Sequence, residues 1–104
     1  SVFPFLATGR FLMHLSERLM ELRSRTSDDP RMKKESKDLS RLVDAVMQVP
    51  NDLHTAPSTL VNAIDRCLQS QPENSFFREV EASNDILRNL KAEVESYKSA
   101  TDNR

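Results

Sequence analysis

Between positions 76 and 97, seven mostly apolar residues recur at alternating intervals of four and three residues, a pattern called a heptad seam. This repeat constrains the fold more than any other feature. The repeat consists of Phe76, Val80, Ser83, Leu87, Leu90, Val94 and Tyr97. A sustained period of this kind places the side chains on one stripe of an α-helix. A second stripe near the start of the chain consists of Phe5, Leu12, Leu15, Leu19 and Leu22. Two long helices that each need an apolar partner surface are therefore predicted.

The turn-forming residues indicate how these helices are joined. The chain contains only one glycine, Gly9, whereas a β-rich fold needs many glycine-containing tight turns. Prolines at positions 30, 50, 57 and 72 instead mark breaks between amphipathic segments. The predicted fold is an all-α four-helix bundle with helices at about 4–25, 30–48, 57–70 and 75–100. All 104 residues form one helical domain, and we expect the tail 101–104 to fray.

The same repeats are compatible with a second arrangement. The long first and fourth helices could pair with those of a second copy of the chain, because bundle cores and coiled-coil seams share one spacing. The sequence leaves open whether the heptads close the protein's own core or form a dimer.

Residues that carry chemistry are sparse. One glycine cannot supply a phosphate-binding loop. His14, His54 and Cys67 stand far apart, without the spacing of metal ligands. Cys67 shares an apolar helix face with Ile64 and Leu68, so we interpret it as a small core residue. The sequence therefore predicts no enzyme activity, no cofactor and no metal.

One charged cluster spans the end of the first helix and the start of the second. It consists of Arg23, Arg25, Arg31, Lys33, Lys34 and Lys37. Acidic residues interleave with it, and the net charge of the whole chain is -1. We interpret the cluster as a solvated helix face. The alternative is a docking site for an acidic peptide, a phosphate, a nucleic acid or another anionic surface.

Several apolar residues lie at the start of the chain or beside the two stripes. They are Phe3, Phe5, Met13, Met20, Phe77 and Ile86. These side chains either complete the core or form a contact surface for a partner or a second copy.

The function predicted by elimination is a non-enzymatic protein–protein interaction module of a larger protein, as an adaptor, scaffold or oligomerisation domain. Its partner would be another protein or a second copy, and nucleic-acid or anionic-surface binding is the alternative. A single cysteine suits a reducing compartment, which predicts a cytoplasmic or nuclear location. No apolar run approaches the roughly 20 residues of a membrane span.

Overall fold

The structure is a computed structural model that describes residues 3–50, 55–72 and 77–102, with side chains between residues 10 and 99. Four α-helices make up most of these residues: α1 (Phe3–Ser27), α2 (Lys33–Met47), α3 (Pro57–Gln69) and α4 (Arg78–Asp102). A short 3-10 helix, Pro30–Met32, precedes α2, and the described ranges contain no strand. The prediction of an all-α four-helix bundle is confirmed.

The helices form an up-down bundle in which each packs on its neighbour in the chain. Helix α1 packs most extensively on α2, α3 packs on α4, and α4 returns to contact α1. Within the described residues, no Cα atom of α1 lies within 8 Å of one in α3, and none of α2 lies within 8 Å of one in α4, so these are the diagonal pairs of the bundle. An ion pair of 3.7 Å between Arg25 Nη2 and Glu79 Oε1 joins the end of α1 to the start of α4. These two long helices therefore run antiparallel, side by side.

The core is built from the predicted stripes. Helix α1 buries its four seam leucines, and α4 buries Val80, Ser83, Leu87, Leu90 and Val94. Helices α2 and α3, together with Val49 just after α2, add the remaining buried side chains: Leu39, Leu42, Val43, Val46, Val49, Leu60, Ala63, Ile64 and Cys67. Burial of these side chains is the main favourable term that holds the four helices together.

Helix boundaries differ from the predicted ones by up to three residues. The first helix, predicted at 4–25, spans Phe3–Ser27. The prediction that the second helix begins at Pro30 is wrong for the α-helix, because residues 30–32 form the 3-10 turn. There the Asp29 carboxylate accepts a hydrogen bond of 3.0 Å from the backbone N–H of Arg31. Helix α4 is described from Arg78 to Asp102, against a prediction of 75–100.

Ser83 is the polar member of the α4 seam, and it is fully buried. Its hydroxyl donates to the Val80 carbonyl at 2.8 Å, within the same helix, and accepts a long contact of 3.5 Å from Gln71 Nε2. We expect Ser83→Ala to change the free energy of unfolding by less than about 1 kcal/mol, because better helix propensity offsets a weak hydrogen bond. Urea denaturation of both proteins checks this, and a larger loss would show that the Gln71 contact matters.

Candidate functional site

Three large apolar side chains stay exposed on the described surface. Phe11 is 52% exposed, Met13 is 53% exposed and Met47, the last residue of α2, is 62% exposed. The neighbouring helices do not cover these three side chains. Scattered exposed apolar residues are ordinary, so their surroundings decide whether they mark a site.

Phe11 borders an open groove of about 480 Å³ along α1, at the side that faces α4. The apolar lining consists of Phe11, Leu15 and, across from them on α4, Ile86. Leu15 is buried, and Ile86 is partly buried against the core. The groove thus has an apolar floor packed on the core, with one accessible aromatic ring beside it.

Basic residues of α1 line the outer edge of this groove. Arg10, His14 and Arg18 are four residues apart on α1, which aligns them in one row. Glu17 is the acidic residue of the lining, and its Oε2 lies 3.9 Å from His14 Nδ1 in an exposed pair. Among the described residues, Arg10 and Arg18 make no ion pair. The groove therefore combines an apolar floor with two guanidinium groups that have no ion-pair partner among the described residues.

The predicted basic cluster does not form one uninterrupted face. Arg25 pairs with Glu79, and Arg31 pairs with Asp29 at 3.2 Å. These Arg31 hydrogen bonds hold the pKa of the Asp29 carboxyl below its usual value. Lys34 is exposed, and Arg23 is partly exposed.

The two remaining lysines of the cluster share their surroundings with acids. Lys33 and Lys37 line an open depression of about 510 Å³ together with Asp28, Asp29 and two serines. Carboxylates in the same depression reduce its attraction for a phosphate.

The predicted apolar contact residues fall into separate groups. Met20, Phe77 and Ile86 pack against the core as partly buried side chains. Met13 is exposed, and Ile86 also lines the groove. The side chains of Phe3 and Phe5 lie outside the described residues.

A smaller depression of about 330 Å³ lies between α2 and α3. Ala45 and Ala63 line it, and short side chains there leave space between the helices. Arg41 and Arg66 also line it, but Asp44 stands beside them, and Asp38 lies 3.9 Å from Arg41. Its charges are thus largely matched within the bundle.

Cys67 and Lys91 take part in packing and ion pairing within the bundle. Burial raises the pKa of the Cys67 thiol to about 11, and the side chain is fully buried, which makes it a poor nucleophile. Lys91 Nζ lies 2.7 Å from Asp65 Oδ1, and this hydrogen bond raises the pKa of the lysine. Within the described ranges, no three His, Cys, Asp or Glu side chains cluster to hold a metal.

None of the helices in the described part of the chain has an apolar stretch of the length that crossing a bilayer requires.

The site residues that the sequence analysis missed are Phe11, Arg10 and Arg18. Their sequence signal was a row of basic residues at spacing four that directly adjoins apolar residues at spacing four. On its own, such a row is typical of a solvated helix face. Only the position of Ile86 on α4, across from this row of α1 residues, shows that the row forms the edge of a groove.

Comparison of the chain with protein-family models, curated proteins and solved structures gives no match.

Proposed function

We propose that this chain is a non-enzymatic protein-interaction module that binds another protein through the groove between α1 and α4. The observation that carries the proposal is the exposed Phe11 ring beside an apolar floor, with Arg10 and Arg18 at the edge of the groove and without an ion pair among the described residues. Aromatic and arginine side chains are the residues that most often dominate binding energy at protein interfaces. We also propose an adaptor or scaffold role inside the cell, the location that the single cysteine favours.

The competing proposal, binding of nucleic acid through the basic cluster, has weaker support. Two of its six cations are paired with carboxylates, and Asp28 and Asp29 line the depression that holds Lys33 and Lys37. Nucleic-acid binding through phosphates depends on a concentrated positive surface and weakens steeply with salt. Duplex DNA titrated at low ionic strength distinguishes the two proposals, and a salt-sensitive complex would favour this alternative.

The proposed function is tested by quantitative affinity purification from cells with wild-type chain, Phe11→Asp and Met47→Asp. Both variants place a carboxylate at an exposed apolar position, so circular dichroism should show an intact fold in each. We expect a specific partner that is retained by Met47→Asp and reduced at least roughly tenfold by Phe11→Asp, since hot-spot residues contribute that much. Absence of any specific partner for the folded wild type would overturn the proposed function.

A further inference from the structure

The geometry points to a defined class of occupant for the α1–α4 groove: a helical segment of another protein with a short apolar face flanked by acidic residues. This inference rests on the proposed function and specifies the chemistry of its partner.

The apolar part of the groove suits the side chains of a helix. Phe11 and Leu15 lie one helical turn apart on α1, and Ile86 faces them from α4. An amphipathic helix presents apolar residues at the same one-turn interval, so two of them can contact this floor together. A volume of about 480 Å³ within an open groove admits such side chains without displacing the core.

The charges at the edge of the groove specify which residues flank the apolar face of the incoming helix. Arg10 and Arg18 are eight residues apart on a straight helix, which separates their Cα atoms by about 12 Å. Neither guanidinium group has a carboxylate within 4.0 Å among the described residues, and Glu17, the acidic residue of the lining, lies beside His14 instead. The lining therefore carries more positive than negative side chains, and two carboxylates about two turns apart on the incoming helix would pair with Arg10 and Arg18.

The same charges disfavour a second copy of the chain as the occupant. A symmetric dimer uses the same patch on both subunits, so a two-fold axis near His14, midway along the row, would place Arg10 opposite Arg18 of the other copy. Like charges in such an interface oppose association. Because Glu17 is the one carboxylate among the lining residues, against Arg10 and Arg18, the groove complements an acidic partner better than it complements a second copy.

The test uses two alanine-rich helical peptides of about four turns, each with two leucines one turn apart. A flanking pair of residues two turns apart is Glu in one peptide and Lys in the other. We expect the Glu peptide to bind roughly tenfold more tightly at low ionic strength, because each exposed ion pair contributes modestly and two act together. Salt at about 1 M should remove most of this difference. Backbone amide shifts in NMR titrations should map binding to residues around Phe11, Leu15 and Ile86.

Charge reversal provides the matched control. In Arg10→Glu/Arg18→Glu the preference should switch to the Lys peptide, whereas Lys33→Glu/Lys37→Glu makes the same change of charge elsewhere and should keep the Glu preference. Equal binding of the two peptides, no binding by either, or shifts confined to another face would overturn the inference. So would a wild-type dimer in sedimentation that Phe11→Asp dissociates, because a second copy would then be the occupant.

Failure of this inference is distinguishable from failure of the proposed function. A cellular partner that depends on Phe11 but shows no charge preference at Arg10 and Arg18 would leave the interaction module standing and remove the acidic helix.

Discussion

Leu87→Asp is expected to abolish the cooperative fold. Leu87 is fully buried at the centre of the α4 seam, among side chains from the other helices of the core. Loss of a buried leucine costs about 2–5 kcal/mol, and an unpaired carboxylate in the same place adds several more. The sum approaches or exceeds the whole stability of about 5–15 kcal/mol that is typical of a domain. Circular dichroism should show no cooperative thermal transition, and NMR amide dispersion should collapse.

The matched control is Asn89→Asp, two residues away on the exposed side of the same helix. It adds one negative charge without touching the core, so the free energy of unfolding should change by no more than about 0.5 kcal/mol. Leu87→Ala should fall between the two and retain a cooperative melt. A Leu87→Asp protein that melts close to the wild-type temperature would mean that the α4 seam is not the bundle's own core.

Much of the fold could be predicted because periodicity is a local property. Val80, Leu87 and Val94 are buried where the alternating spacing put them, since seven residues make two turns of any α-helix. The error at the start of α2 has a local cause as well. The Asp29 side chain accepts from the Arg31 N–H, and this bond holds Pro30–Met32 in a 3-10 turn.

The candidate site could not be predicted in the same way, because it depends on how far α4 rotates toward one side of α1. Phe11 lies at the edge of its stripe, where a small change in helix packing decides between burial and exposure. The structure leaves half of the Phe11 ring exposed. The Arg25–Glu79 pair is equally non-local, so the loss of Arg25 from the predicted basic face left no trace in the local pattern.

Cys67 should make the stability of the bundle fall as the solution becomes strongly alkaline. The thiol is fully buried, and burial raises its pKa from an ordinary 9.0 to about 11. The unfolded chain therefore releases this proton at lower pH than the folded chain does. The stabilising contribution is fully present below pH 9.0 and is lost as pH rises through about 11. Two pKa units correspond to about 2.7 kcal/mol.

Denaturation of the wild type and of Cys67→Ala across this pH range isolates the effect, because every other ionisable group is common to the two proteins. Truncation leaves a small cavity, which lowers the stability of Cys67→Ala by a roughly constant amount at every pH. We expect the stability difference between the two proteins to stay level up to about pH 8 and then to decline between pH 9.0 and about 11. A stability difference that stays constant across this pH range would mean that the Cys67 thiol has the same pKa in the folded and the unfolded chain. The Cys67 thiol would then be accessible for reaction instead of buried in the core.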